Sequence, residues 1–225
     1  MRLFPGVVST LVVAGLVLAA ASAQADKGVV GENLELRQAL EKRMDAIRAD
    51  REAYEQIMND GRDRTILCKT CHGEDGMAVK EGTPNLAGQN PVYIVDQFQR
   101  FGDGRRYDFF MAQLAKSFDD EEKIKIALYY ASMPNAASGG GKMELIGQGK
   151  AVFERSCTEC HGSDGKGQEG YARLAGQRPE YVVKMLKEFK ERTGRRNNPW
   201  MAGVALKLSD TDMEVLAAAY IASLK

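Results

Sequence analysis

The stretch CKTCHGEDG, Cys68 to Gly76, returns as CTECHGSDG, Cys157 to Gly165. The two lie 89 residues apart and together hold all 4 cysteines and both histidines of the 225-residue chain. Whatever the chain does chemically is concentrated in Cys68, Cys71 and His72, and in Cys157, Cys160 and His161. Beyond the motifs, Leu86-Ala87-Gly88-Gln89 is echoed by Leu174-Ala175-Gly176-Gln177, and Tyr93 and Phe101 by Tyr181 and Phe189, at an offset of 88. Gly104-Arg105-Arg106 recurs as Gly194-Arg195-Arg196 at an offset of 90, each arginine pair followed five residues on by a methionine, Met111 or Met201. LYYASM, ending at Met133, answers to AYIASL, ending at Leu224. A shift that drifts by only 3 residues over the whole unit is the mark of a duplicated domain.

The segment between the copies, PNAASGGGK, has linker composition and no apolar period. Each copy reads as helical. A short helix enters each cysteine motif, and a middle helix sets Tyr93, Phe98 and Phe101, or Tyr181, Met185 and Phe189, on one face. Asp119 with Glu122, and Ser209 with Asp212, have the spacing of capping boxes at the head of a last helix. No stretch alternates as a strand does, so the expected fold class is all-α, in two tandem units with an extra N-terminal helix. The expected division is a leader at 1–25, a helical extension at 26–60, a first unit at 61–133, a linker at 134–143 and a second unit at 144–225.

The start of the chain has the layout of a secretory signal: Arg2, an apolar run from Val7 to Ala21, and Ala-Gln-Ala ending at Ala25. Export to the periplasm with cleavage near Ala25 is the expectation. Lys+Arg and Asp+Glu both number 31, so no global field advertises nucleic acid or a membrane surface. Charge is uneven within the chain: residues 68–138 carry 8 basic and 10 acidic side chains, residues 142–225 carry 14 and 11.

C-x-x-C-H is the attachment signal for a c-type haem. Two thiols on one helical turn can form thioethers with the two vinyl groups of one haem, and the adjoining imidazole is carried beneath the iron as proximal ligand. Other uses of the motif fit less well. One zinc held by both cysteine pairs leaves the histidines idle, and two separate zinc sites have three ligands each. A disulfide across C-x-x-C belongs to redox enzymes with a βαβ context, which this chain lacks. The expected cofactors are two covalently attached c-type haems, bound through Cys68 and Cys71 and through Cys157 and Cys160. His72 and His161 are then the proximal iron ligands.

With both histidines committed, methionine is the remaining common sixth ligand for a soluble electron carrier. Of 10 methionines, only Met111 and Met201 stand at equivalent places in the two copies. They are the expected distal ligands. Met201 lies in the loop-like NNPWMAG, and Met111 in the less similar YDFFMAQ.

With C-x-x-C-H-G, LAGQ before an aromatic helix, GRRNNPWMAG and the terminal LSD…AAYIAS, the chain resembles the dihaem cytochrome c4 family, tandem class I cytochrome c domains. The resemblance spans roughly residues 62–225 and is closest in the second half. It implies one low-spin His/Met haem per domain and single-electron shuttling in the periplasm towards a terminal oxidase or a dehydrogenase partner, with membrane association only through such partners. It also implies that the carbonyl of Pro84 accepts the proximal imidazole N–H. The second copy reads YARLAG there, and the role passes to another carbonyl. Arg105, Arg106, Arg195 and Arg196 are candidates to pair with haem propionates.

The segment from Glu32 to Asn59 departs from that pattern. Its Leu40, Met44, Ile47, Tyr54 and Met58 follow helical spacing interrupted by Arg51, which fits a helix packed on the first unit, with docking or dimerisation as the alternative. Two functions compete with a non-catalytic carrier: a haem subunit of a larger dehydrogenase complex, and a dihaem oxidoreductase with an open iron position.

Overall fold

The apolar spacing ahead of the first motif runs through a charged stretch and is interrupted at Asp50 and Arg51. In the computed structural model, which describes residues 34–139, 142–216 and 220–224, that stretch forms two helices rather than one. These are α1 (Leu34–Ala49) and α2 (Arg51–Arg64). The break is at Asp50, which is extended (φ −129°, ψ 120°) and caps α2 by accepting from the Glu52 N–H. The expected boundary at residue 60 therefore falls inside a helix. Residues 1–33, with the expected leader, lie outside the described part. No described helix is long and apolar enough to cross a membrane.

From α2 onward the same sequence of helices occurs twice. The first unit continues with α3 (Ile66–His72), α4 (Pro91–Asp103), α5 (Phe109–Ser117) and α6 (Asp120–Ser132). The second has α7 (Ile146–Ser156), α8 (Thr158–His161), α9 (Pro179–Glu191), α10 (Pro199–Ala205) and α11 (Asp210–Val215). Among the described residues there is no strand, only one antiparallel bridge joining Arg106 to Arg196. The fold is all-α. Pro91 and Pro179 open α4 and α9 at positions where a missing N–H costs nothing. The capping boxes are formed as expected, Asp119 with Glu122 ahead of α6 and Ser209 with Asp212 ahead of α11.

In each unit the helix before the motif crosses the last helix at a glycine. A β-carbon on Gly61 would fall inside the Tyr129 ring, and one on Gly149 would strike the Val215 carbonyl and the Tyr220 side chain. The crossing is too close for any other residue. Around it lie two apolar cores: Ile57, Phe98, Ile126 and Leu128 in the first, and Val152, Phe153, Leu186, Met213 and Ile221 in the second. Helix α1 belongs to the first core. Its Leu40, Met44 and Ile47 are buried there, each such burial being worth about 2 kcal/mol.

The units are held face to face by reciprocal contacts about an approximate two-fold axis. Gln89 donates through Nε2 to the Arg173 carbonyl (2.9 Å) and accepts through Oε1 from the Arg173 N–H (2.6 Å). Gln177 does the same to Asn85, at 3.0 and 2.8 Å. Residues 85 and 173, like 89 and 177, are related by the repeat offset of 88. The linker joins this contact. Asn135 Nδ2 donates to the Ala87 carbonyl and Ser138 Oγ to the Gln177 carbonyl. On the axis, Arg106 and Arg196 both donate to Gln97 Oε1 (2.7 and 2.8 Å) and to the Tyr181 hydroxyl (2.8 and 3.0 Å).

Candidate functional site

Each cysteine motif sits on a short helix that ends in a glycine in the left-handed region, Gly73 (φ 79°) and Gly162 (φ 80°). That residue turns the chain sharply just after the histidine, a conformation a side chain would strain. The following loop then folds back over the imidazole. His72 Nδ1 lies 2.9 Å from the Pro84 carbonyl, and His161 Nδ1 lies 2.8 Å from the Ala172 carbonyl. A carbonyl only accepts, so Nδ1 carries the proton and donates in both rings. The tautomer is thereby fixed, and Nε2 is left as the free lone pair, the arrangement of a metal-ligating imidazole with its outer nitrogen tied down. The second unit needs no proline for this, only a carbonyl at Ala172.

The electrostatics agree. Burial pushes both imidazoles below the ordinary histidine range, against the opposing effect of the carbonyl bond, so both are neutral at pH 7. His161 Nε2 is buried and has no hydrogen-bond partner. A buried imidazole nitrogen without a partner is costly unless a ligand takes it. The four cysteines form no disulfide. Burial raises the Cys68 thiol and drives the Cys157 thiol up to about 12, both of which favour neutral sulfur. Among the described residues no group of three or more His, Cys, Asp or Glu is placed to hold a metal ion, as a zinc site would require. Paired cysteines beside a neutral imidazole, with the Nε2 of His161 buried and unpartnered, fit a covalently held haem whose iron would take that nitrogen.

Met111 and Met201 are placed alike. Each is the third residue of a short helix, α5 or α10, and each has its N–H held by the side chain capping that helix. Asp108 accepts from Met111 N–H at 3.0 Å and Asn198 from Met201 N–H at 2.9 Å. Both methionines are half-buried against their own core. The loop expected around Met201 is therefore a helical turn, because Asn198 caps it and Pro199 presets its first φ. The dissimilar YDFFM of the first unit reaches the same backbone geometry through Asp108.

The arginine pairs divide. Arg105 pairs with Asp103, and the Arg195 carbonyl accepts from the Tyr107 N–H across the units. Arg106 and Arg196 meet on the axis, lying over the rings of Phe101 (4.2 Å) and Phe189 (5.3 Å). Sequence reasoning missed the clamps made by Gln89 and Gln177. Their signal was the repeated LAGQ, whose role depends on the other unit and is invisible within one.

Comparison with known proteins agrees with this geometry. The family model for cytochrome c matches residues 146–225. Cytochrome c4 of Pseudomonas aeruginosa is 33% identical over 169 residues, covering 70% of this chain and 84% of that protein. A thiosulfate dehydrogenase electron acceptor of Stutzerimonas stutzeri is 32% identical, covering 68% of this chain and 76% of that protein. Among solved structures, reduced cytochrome c4 from Pseudomonas stutzeri superposes with a TM-score of 0.67 at 31% identity, covering 74% of this chain and 98% of that one. Thiosulfate dehydrogenase from Marichromatium purpuratum superposes with a TM-score of 0.64 at 25% identity, covering 76% of this chain and 40% of that one. Two equivalent haem-type motifs, an all-α duplicated fold and relatives that match both units together lead to one conclusion: the chain belongs to the cytochrome c4 family, a dihaem c-type cytochrome of electron transfer whose haems are covalently attached.

Proposed function

We propose that this chain is a periplasmic carrier that passes single electrons between redox proteins and performs no catalysis of its own. The observation that supports it best is the matched pair of sites. In each, a tied imidazole and a methionine at a capped helix start would hold the iron, His72 with Met111 and His161 with Met201. When bound, haem iron supplies a one-electron couple between its ferric and ferrous states. The residues do the rest. Cys68 and Cys71, and Cys157 and Cys160, would anchor the ring through thioethers. The Pro84 and Ala172 carbonyls hold the imidazoles in one orientation, and the thioethers of Met111 and Met201 would favour the ferrous state. With both a histidine and a methionine holding it, the iron would exclude small molecules and reorganise little.

The Gln89 and Gln177 clamps fix the two units relative to each other, which supports transfer within the molecule. We place the first unit at 51–133 and the second at 144–225, with α1 as an addition to the first. Export follows the leader at 1–25, with cleavage near Ala25. For the donor, the relatives named as electron acceptors of thiosulfate dehydrogenase favour an oxidoreductase of that kind. The thiosulfate dehydrogenase structure, of which this chain covers 40%, favours a second reading as the haem subunit of such an enzyme.

The test is the absorption spectrum of the matured protein, oxidised and reduced, with haem counted per chain. Two covalent low-spin haems that ignore cyanide and peroxide are expected of the carrier. A high-spin fraction that binds them readily would mean an open iron and an enzyme. Co-purification in fixed ratio with a dehydrogenase would favour the subunit reading.

A further inference from the structure

A groove of about 870 Å³ runs along the second unit between α9, α11 and the approach to α7, with Leu145, Val183 and Val215 on its floor. None of the cysteines, His161 or Met201 lines it, so it is separate from the haem site. The internal repeat explains what this groove is. Gly61 and Gly149 are equivalent, so Leu145 stands where the first unit has Ile57, and the offset of 88 sets Val183 against Val95. The two capping boxes align Thr211 and Glu214, both at the groove, with Glu121 and Ile124.

In the first unit those positions form the seat of α1. Helix α1 packs on α2, α4 and α6, its Leu40, Met44 and Ile47 share one core with Ile57 and Val95, and Ile124 packs against that core. Arg43 of α1 pairs with Glu121 at 3.3 Å. The effect on burial is direct. Ile57 is 8% and Val95 4% exposed, whereas Leu145 and Val183 are only half-buried.

We propose that the groove of the second unit is a docking seat for an amphipathic helix of a protein partner, built on the pattern of α1 with apolar residues at i, i+4 and i+7. The walls define the rest of its chemistry. Glu214, which replaces Ile124 on the α11 side and lies one helical turn beyond the place Glu121 holds in the first unit, calls for a basic residue, and Lys184 and Lys187 on the α9 side call for acidic ones. Helix α1 of a second copy is not the occupant, because leaving its own seat would expose Ile57 and Val95 of the first unit. This seat recruits the partner on a face of the second unit that its haem ligands do not line.

The probe is α1 itself, the 16-residue sequence from Leu34 to Ala49, made as a lactam-stapled peptide because a free helix of that length is marginal in water. It is titrated by calorimetry into the dihaem holoprotein. Saturable one-to-one binding is expected, weakened tenfold or more by Val183→Asp and by Leu145→Asp, and several-fold by Glu214→Lys, with the haem spectrum unchanged in each. Should the aspartate variants not fold, Glu214→Lys on the exposed wall still decides. No binding at millimolar peptide, or binding that all three variants leave intact, overturns the proposal. Self-association of the protein alone that Glu214→Lys abolishes also overturns it, since a second copy would then fill the groove.

Discussion

The two units solve one problem with different letters. In the first, Asp108 caps the helix that carries Met111 and a proline carbonyl holds His72; in the second, Asn198 and an alanine carbonyl do the same work. What is shared is a set of backbone positions: an acceptor two positions before the LAG turn, a side-chain oxygen three residues before the methionine, a glycine at each helix crossing. What differs is the outer face. The first unit is covered by α1, while the equivalent groove of the second is open. Duplication has kept the two cysteine-histidine sites alike and left the two outer faces unlike, so that the halves of one chain present different surfaces.

The likeness of the two units is most vulnerable at the crossings. Gly61→Ala and Gly149→Ala should each cost about 3 kcal/mol or prevent folding, since the added carbon meets a ring in one and a carbonyl in the other. Denaturant unfolding of the two variants checks this, and a near-neutral result in either would mean that the helices do not cross as closely there. Next comes α1. Leu40→Ala should cost about 3 kcal/mol, because the side chain is 1% exposed, while Val183→Ala on the open groove should cost under about 1 kcal/mol. Equal losses would erase the difference between the outer faces. Smallest are the caps. Asp108→Ala and Asn198→Ala should each lose about 1 kcal/mol of local stability. Both should also weaken the hold on the neighbouring methionine, visible as a growing high-spin fraction as temperature rises.

Much of this was legible in the sequence, and the reason is local chemistry. C-x-x-C-H, the capping boxes at Asp119 and Ser209, and the glycines after each histidine act within a few residues, so their spacing alone carries their meaning. The break at Asp50 was not legible. Residues on both sides share one apolar rhythm, and what divides them is the tertiary demand that α2 cross α6 at Gly61 while α1 lies elsewhere on the same core. The helical turn at Met201 was hidden for a related reason. Asn-Pro has the composition of a loop, and only the folded chain shows Asn198 capping the helix that Pro199 opens. The clamps of Gln89 and Gln177 were visible only as repetition, because each acts on the other copy. Arg106 and Arg196 were expected beside the haems singly, and their meeting on the axis over Gln97 and Tyr181 depends on the docking of the units.

The proposed chemistry stands or falls with protein ligands on both faces of both irons, Met111 and Met201 being the distal pair. The most direct test is a potentiometric titration of the dihaem protein beside Met111→His and Met201→His. Each variant should keep both covalent haems and lower one potential by on the order of 0.1–0.2 V, within the roughly 0.8 V that axial ligands span, leaving the other close to its original value. A potential unmoved by either substitution would remove that methionine from the iron and contradict its assignment as a ligand.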